Sequence, residues 1–244
     1  MNNDTENNTL LLVWRKIKPE EIKNNLDNWR RKLPEFEIIE WNEQNFDINS
    51  IPFVKEAYDR KMFAFVSDVA RLHALLTHGG VYLDTDIEIV KDFTPIINNY
   101  SAVFSLENNN SIVATSFIAS EEKHPIIMEL FEKYQNMNFI DTNGNEVTIP
   151  NTTYLTEIIK KQNFYIKNEI QELDGIALFP DTYFSSFNLE TGKPRYTRQT
   201  YTVHHFSASW QDRSFHLKKN KETFSSNIRR KILYKIKRIL LTSK

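Results

Sequence analysis

The first 41 residues contain two short apolar segments separated by an amphipathic one, and this order constrains the fold more than any other feature. TLLLVW, residues 9–14, is typical of a buried strand, and FEIIEW, residues 36–41, is a second. The segment between them begins at Pro19 and repeats apolar residues at helical spacing. These residues are Ile22, Leu26, Trp29 and Leu33. A strand–helix–strand order predicts an α/β fold with ligands at the strand ends.

The composition excludes several classes of protein. A hydrophobic fraction of 40% with 13% aromatic residues is enough to fill a core, so extensive disorder is not expected. Cysteine is absent, which removes disulfides, thiol nucleophiles and cysteine-bound metals and fits a reducing compartment. The polar leader, residues 1–9, does not resemble a signal peptide, and no apolar run is long enough to span a membrane. The sequence therefore predicts a cytoplasmic location.

The stretch GGVYLDTDIEIV, residues 79–90, places two aspartates inside a run that otherwise reads as one buried strand. Apolar and polar residues alternate along it, so period-two geometry predicts that Asp84 and Asp86 share a face, with backbones about 7 Å apart. An unpartnered charge is costly to bury. The two carboxylates must therefore lie at a strand mouth, pair with basic groups or hold a divalent cation.

A lone D-x-D is common, so a cation site is only one of several roles open to the pair. A turn or a surface strand end would account for it without any function. A calcium loop of the EF-hand type would need Gly and Glu where this chain has Ile89 and Pro95, so that type is excluded. A haloacid-dehalogenase-like phosphatase would use Asp84 as a nucleophile. A glycosyltransferase would use the pair to hold a metal against the diphosphate of a nucleotide sugar, where charge develops as the glycosidic bond breaks.

The longer segment SDVARLHALLTHGGVYLDTDIEIV resembles the DXD sugar-binding region shared by capsular-polysaccharide glycosyltransferases and initiation-specific mannosyltransferases. It is also similar to the catalytic domain of the large glucosylating toxins. The matching residues are Asp68, Arg71, Gly79, Gly80, Tyr82, Asp84 and Asp86. Weaker likeness, including LFPDTYF and HHFSASW, extends it to about residues 10–215. Unlike many capsular members, this chain has no Ile-His pair before Trp14 and no Gly after it.

The resemblance implies a GT-A type α/β fold, with a mostly parallel central sheet flanked by helices and a nucleotide-sugar site at the carboxyl ends of its strands. It implies a metal-dependent, retaining hexosyltransferase that uses Mn²⁺ or Mg²⁺. The donor would be a nucleoside-diphosphate sugar, with a UDP-sugar favoured over a GDP-sugar. The acceptor would be a glycan or lipid-linked glycan in capsular or surface polysaccharide assembly. A non-catalytic nucleotide-sugar-binding protein is a further alternative.

The resemblance also implies a role for each matching residue. Asp86 would bind the metal directly, and Asp84 would contact the ribose or reach the metal through water. Asp68 and Arg71 would bind the donor, Arg71 at the diphosphate or sugar and Asp68 at sugar hydroxyls. Asp84, Asp86 and Arg71 are thus the predicted catalytic residues, and Tyr82 would line the same pocket.

Three further positions are predicted from the outer parts of the resemblance. Trp14 would stack on the nucleotide base, and Trp210 would close over the diphosphate. His204 would be a further metal ligand or diphosphate contact, with His205 as the substitute.

Each residue could also have a purely structural role. Asp68 and Arg71 are three apart on a predicted helix, which is typical of a surface ion pair. Trp14 alone reads as a core residue, and the two histidines as a strand pair, although imidazole is a common metal ligand. Their occurrence together, in the order and spacing of the family, favours a functional site.

The C-terminal segment differs from the rest of the chain in charge. Residues 218–244 hold ten Lys/Arg and one acid, a net of +9, so the remainder carries −10 of the total of −1. The acidic body argues against nucleic-acid binding. Residues 225–244 read as a basic amphipathic helix, either docked on the domain or bound peripherally to the anionic inner face of a membrane. The predicted organisation is a leader (1–9), a glycosyltransferase domain (10–217) and this helix (218–244).

Overall fold

The computed structural model describes residues 9–13 and 20–206 of the 244-residue chain. Trp14, Trp210 and the predicted C-terminal helix lie outside these residues, so the predictions about them and the predicted domain bounds remain predictions. In the described part of the chain, no helix is both long enough and apolar enough to cross a bilayer.

The described residues form eleven strands and seven helices. The strands are β1 (Thr9–Val13), β2 (Glu37–Trp41), β3 (Gly80–Leu83), β4 (Ile87–Ile89), β5 (Ala102–Glu107), β6 (Ile112–Ser120), β7 (Gln171–Leu173), β8 (Ile176–Phe179), β9 (Phe187–Asn188), β10 (Lys193–Pro194) and β11 (Thr202–His204). The helices are α1 (Glu20–Lys32), α2 (Pro52–Asp59), α3 (Phe63–His78), α4 (Thr94–Ile97), α5 (Pro125–Gln135), α6 (Asn151–Lys161) and α7 (Asp181–Phe184).

A seven-stranded sheet in the order β2-β1-β3-β6-β5-β8-β7 forms the centre of the described fold. Strands β1, β2, β3, β5 and β8 run in one direction, whereas β6 and β7 run the opposite way. The predicted mostly parallel sheet is therefore confirmed. Two short antiparallel pairs, β9 with β10 and β4 with β11, accompany it.

Both faces of the sheet are covered by helices, as the continuous apolar run along β1 requires. Leu10 and Leu12 belong to one core together with Trp29 of α1, whereas Leu11 belongs to the opposite core together with Leu72 of α3. All five side chains are buried. Successive residues of a strand point to opposite faces, so a run of leucines serves both layers.

Helix α1 fixes the position of β4 through its polar groups as well as its apolar face. The indole N–H of Trp29 donates to the carbonyl of Ile87 at 2.8 Å, and the Asn28 side chain exchanges two hydrogen bonds with the backbone of Ile89. The Asn25 amide donates to the carbonyl of Thr85 at 2.8 Å. These contacts hold the backbone on both sides of Asp86.

The prediction of one strand over residues 79–90 is wrong. Strand β3 ends at Leu83, and β4 begins at Ile87 after a turn that the Ile87 N–H closes on the carbonyl of Asp84 at 3.0 Å. The strand is interrupted because β3 pairs with β1 and β6 inside the sheet, whereas β4 leaves it and pairs with β11. Asp84 and Asp86 therefore approach one another across a turn and not along one face of a strand.

Gly80 begins β3 in a place that only glycine fits. Its φ is +89°, and a Cβ there would lie 2.5 Å from the carbonyl oxygen of Thr9 on the paired strand β1. Replacement by alanine therefore combines a left-handed backbone conformation with a clash against main-chain atoms. The glycine therefore permits the close approach of β1 to the start of β3.

We expect Gly80→Ala to destabilise the protein more than Gly144→Ala. Gly144 has a similar φ, +82°, but open space around its Cβ position. Gly144→Ala should cost about 1–2 kcal/mol from the left-handed conformation, and Gly80→Ala should cost a further ~1–3 kcal/mol from overpacking. The free energy of unfolding in urea measures both. Equal losses in the two variants would contradict the importance of the contact with Thr9.

Candidate functional site

Several acidic side chains follow strands at one edge of the sheet. Asp84 and Asp86 come directly after β3, Glu107 is the last residue of β5, and Asp181 follows β8 after a single proline. Strands β3, β5 and β8 run in the same direction, so these residues lie at the same edge. In α/β sheets, this carboxyl edge is where ligands bind.

Asp84, Asp86 and His204 converge at this edge. One ligand atom from each side chain lies within 4.8 Å of the other two. Two carboxylate oxygens and an imidazole nitrogen form a donor set that suits divalent cations such as Mn²⁺. The two aspartates are half-buried, whereas His204 is buried. The residues present therefore fit the divalent metal that the sequence predicts.

The pairing of β4 with β11 brings His204 to the two aspartates. Ile87 is paired with His204, and the His205 N–H donates to the carbonyl of Asp86 at 3.2 Å. Nε2 of His204 lies 3.4 Å from Oδ1 of Asp86. The cluster therefore depends on a register between segments that are more than a hundred residues apart in sequence.

The same register separates the two histidines. His204 is the last residue of β11, and Nε2 of the next residue, His205, lies 3.0 Å from Oε2 of Glu88. Glu88 also accepts a hydrogen bond from the hydroxyl of Tyr196 at 3.0 Å. The structure thus brings His204 together with the aspartates and turns His205 toward Glu88.

Asp84 is held by two side chains that the sequence singled out. The hydroxyl of Tyr82 donates to Oδ1 of Asp84 at 2.7 Å, and Nη1 of Arg71 lies 3.1 Å from the same oxygen. The guanidinium also lies over the Tyr82 ring, 4.6 Å from its centroid. These contacts fix one carboxylate oxygen of Asp84, and no contact of the other oxygen is seen among the described residues.

Arg71 forms a buried bridge between two carboxylates. Its Nη2 lies 3.2 Å from Oδ1 of Asp68, and its Nη1 donates to the carbonyl of Thr115 at 2.6 Å. The side chains of Arg71 and Asp68 are only 7% and 13% exposed, so the two residues do not form a surface ion pair. The guanidinium of Arg71 thus contacts Asp84, a predicted metal-site residue, directly.

The pKa of Asp68 is raised to about 7, because burial disfavours its charged form more than Arg71 and the backbone N–H of Asn151 favour it. The carboxylate of Asp84 adds to this increase. For Arg71, the neighbouring carboxylates outweigh burial and raise the pKa. Asp68 therefore changes charge near neutral pH, whereas Arg71 stays protonated.

Sequence reasoning did not single out Glu107, although the loop that follows it, residues 108–111, is a predicted determinant of substrate choice. Residues 108–110 are three asparagines that all have positive φ, between 53° and 58°. Asparagine tolerates this left-handed conformation better than most residues, so the run ENNN carries a local signal for an unusual turn. The side chain of Asn110 accepts the N–H of Asp181 at 2.8 Å, which joins the ends of β5 and β8.

We expect His204 to stay protonated at pH 8 in the metal-free protein. Its contacts with Asp86 and Glu107 raise its pKa to about 10, although burial opposes the increase. A histidine with a raised pKa adds stability that is complete below pH 6.5 and is lost as pH rises through about 10. Heteronuclear NMR of the imidazole nitrogens measures the charge state directly.

His124 provides the matched control for that titration. It is also buried, but burial lowers its pKa, and its Nδ1 accepts the N–H of Ile126. We therefore expect His124 to be neutral at pH 7. A His204 that titrates together with His124 would contradict the contacts described here. A cation that binds Nε2 of His204 must displace a proton, so its affinity should rise with pH up to about 10.

The chain matches the model of one protein family. The glycosyltransferase sugar-binding region containing a DXD motif matches residues 19–103. The matched segment extends from the start of α1 into β5 and includes Arg71, Asp84 and Asp86. It does not include β11, which carries His204.

Two curated proteins resemble the chain in sequence. Inositol phosphoceramide mannosyltransferase 1 of Schizosaccharomyces pombe is 27% identical over 132 residues, which are 49% of this chain and 40% of that protein. The uncharacterized glycosyltransferase L373 of Acanthamoeba polyphaga mimivirus is 28% identical over 173 residues, 68% of this chain and 66% of that protein. The chain thus spans less than two thirds of either relative.

One solved structure of similar shape is the PaToxG glycosyltransferase. It is 14% identical to the chain, with a TM-score of 0.49, and the match covers 64% of this chain and 68% of the other. This likeness is too distant to add to what the sheet and the family match establish.

Proposed function

Because the chain belongs to the glycosyltransferases with a DXD-containing sugar-binding region, as its sequence predicts, we propose that it transfers a hexose from a nucleoside-diphosphate sugar to a glycan acceptor. The observation that carries this proposal is the convergence of Asp84, Asp86 and His204 at the carboxyl edge of the sheet. A UDP-sugar is the favoured donor. In this proposal, Trp14 stacks on the base and Trp210 closes over the diphosphate.

Asp86, Asp84 and His204 would hold Mn²⁺ or Mg²⁺. When bound, the cation neutralises charge that develops on the leaving diphosphate. The residues around it have separate tasks. Tyr82 and Arg71 orient Asp84, and His205 donates its N–H to the carbonyl of Asp86, which fixes the turn. Arg71 and Asp68 would also line the donor pocket, with Asp68 available to sugar hydroxyls.

We propose that the reaction retains the anomeric configuration by displacement on a single face of the sugar. A double displacement needs a free carboxylate as nucleophile. Two nearby carboxylates are engaged elsewhere: Glu107 faces His204, and buried Asp181 pairs with Arg195 at 2.7 Å. This engagement favours a mechanism in which the leaving diphosphate itself assists the incoming hydroxyl.

The proposed acceptor is a growing glycan on a lipid carrier, as in capsular or surface polysaccharide assembly. The relative from Schizosaccharomyces pombe is named for a mannosyl transfer to inositol phosphoceramide, which is a lipid. The ten basic residues of 218–244 would attract the chain to anionic lipid at the inner face of a membrane. Peripheral attachment through residues 225–244 would bring the chain to the surface that holds such an acceptor.

The experiment that tests the proposal is hydrolysis of a panel of UDP- and GDP-sugars, with and without Mn²⁺. Release of nucleoside diphosphate from one sugar, dependent on the metal, would support the transferase and identify its donor. Cleavage of simple phosphoesters without release from any sugar would overturn it. If the donor binds tightly in the presence of metal but is not hydrolysed, sugar transfer should occur when lipid-linked acceptors are added. No transfer under those conditions would indicate a non-catalytic nucleotide-sugar-binding protein.

A further inference from the structure

The imidazole of His204 lies between two carboxylates. Its Nε2 is 3.4 Å from Oδ1 of Asp86, and its Nδ1 is 3.6 Å from Oε2 of Glu107. The Glu107 side chain is 14% exposed and that of His204 11%. Nδ1 is buried and has no hydrogen-bond partner within the described residues, and the carboxylate of Glu107 lies just beyond hydrogen-bond distance from it.

The ring of His204 is also restrained from one side. The Phe206 ring lies 3.8 Å from it, centroid to centroid, with 32° between the planes. Phe206 has a φ of +49°, which is uncommon for an aromatic residue and returns its ring toward His204. The stacking limits tilting of the imidazole, and what remains to be fixed is the direction in which its two nitrogens point.

Glu107 is itself held firmly. It ends β5, which lies between β6 and β8 in the sheet, and its carbonyl accepts the N–H of Ser111 across the left-handed turn 108–110. Asn110 ties that turn to Asp181. The backbone is therefore fixed both before Glu107, by the pairing of β5 in the sheet, and after it, by the turn 108–110.

We propose that Glu107 is a positioning residue of the metal site. In the metal-bound protein its carboxylate would accept the Nδ1–H of His204, so that the lone pair of Nε2 faces the cation held with Asp84 and Asp86. Histidine ligands commonly donate their second ring N–H to a carboxylate, which fixes the tautomer and increases ligand basicity. Glu107 is not part of the described cluster of ligand atoms within 4.8 Å, so it acts through His204. The inference rests on the proposed function because it requires a divalent cation there.

Titration of the full-length protein with Mn²⁺, with free Mn²⁺ measured by electron paramagnetic resonance, tests this role. Glu107→Ala should weaken Mn²⁺ binding about 10–100-fold, the usual effect of removing such a partner. Glu107→Gln should weaken it less, because the amide oxygen still accepts from Nδ1. Because Gln is nearly isosteric with Glu, the Gln variant also serves as a control for a loss of Mn²⁺ binding that comes from misfolding.

Glu88→Gln is the matched control. It removes the carboxylate that lies 3.0 Å from His205, a closer pair than that of Glu107 and His204 but on the other face of β4. Mn²⁺ affinity should be unchanged in this variant.

Electron spin-echo modulation adds a direct signature: the ¹⁴N coupling of a Mn²⁺-bound imidazole should be present in wild type and lost or broadened in Glu107→Ala.

Each contrary result has a separate meaning. Wild-type affinity in Glu107→Ala would overturn the positioning role while the metal site stands. A second result would make Glu107 a direct ligand and also overturn the positioning role. In that result, Glu107→Gln loses Mn²⁺ binding as completely as Asp86→Asn does, and the Mn²⁺ that still binds at high concentration keeps the ¹⁴N coupling. A wild type that binds no Mn²⁺ would remove the metal from the proposed function itself, and the role of Glu107 with it.

Discussion

Asp86→Asn is expected to lower metal-dependent release of nucleoside diphosphate at least about 100-fold, the scale found when one transition-state electrostatic contact is removed. Asp86 supplies a carboxylate oxygen to the cluster with Asp84 and His204, and it is the carboxylate nearest to Nε2 of His204. An amide keeps the shape of the side chain but removes its charge. The turnover of the preferred nucleotide sugar at saturating Mn²⁺ measures the effect.

The control for this prediction is again Glu88→Gln, two residues further along the chain. It removes the same charge from the same segment, yet Glu88 faces His205 and Tyr196 and not the cluster. Comparable turnover in Asp86→Asn and wild type would contradict a metal site at the DXD turn. Full recovery of Asp86→Asn at higher Mn²⁺ would show a loss of affinity alone, without a contribution to the rate.

The layered fold could be predicted from the sequence because its signals are local. The apolar runs at 9–14 and 36–41, with the amphipathic segment between them, correspond to β1, β2 and α1. The turn at the two aspartates could not, because the alternation of apolar residues continues through it. What breaks the strand is the pairing of β4 with β11, and no neighbouring residue encodes that choice.

The same distinction applies to the site. Asp68, Arg71, Tyr82 and Asp84 lie within one short segment, and the structure brings all four together. The choice between His204 and His205 depends on the register of β11, which two adjacent histidines cannot reveal. Glu107 belongs to no motif, and only the end of β5 beside His204 gives it a meaning.

Arg71→Ala is expected to lower the free energy of unfolding by about 3–5 kcal/mol, because removing one partner of a buried ion pair leaves uncompensated charge. In this variant Asp84 would lose its counter-charge, folded Asp68 would have to take up a proton, and the carbonyl of Thr115 would lose its donor. Chemical denaturation at pH 7 measures the loss.

The control is Arg60→Ala, which removes an exposed arginine that lies 3.9 Å from Glu146. That change should cost at most about 1 kcal/mol, as exposed ion pairs usually do. Adding Asp68→Asn to Arg71→Ala should restore part of the lost stability, since an amide can be buried there without taking up a proton. A double variant as unstable as Arg71→Ala would mean that the arginine stabilises the fold by packing alone.

The pH dependence of this loss further separates a charge effect from a packing effect. Burial raises the pKa of Asp68 in the folded protein above its unfolded value of 3.8, to about 7 with Arg71 present. The folded state then binds more protons than the unfolded state between these values, so this contribution to stability falls as pH rises. Without Arg71 the pKa should rise further, which extends the fall to higher pH. Arg71→Ala should therefore cost clearly more at pH 8 than at pH 5, whereas a cost that comes only from a cavity would be the same at both.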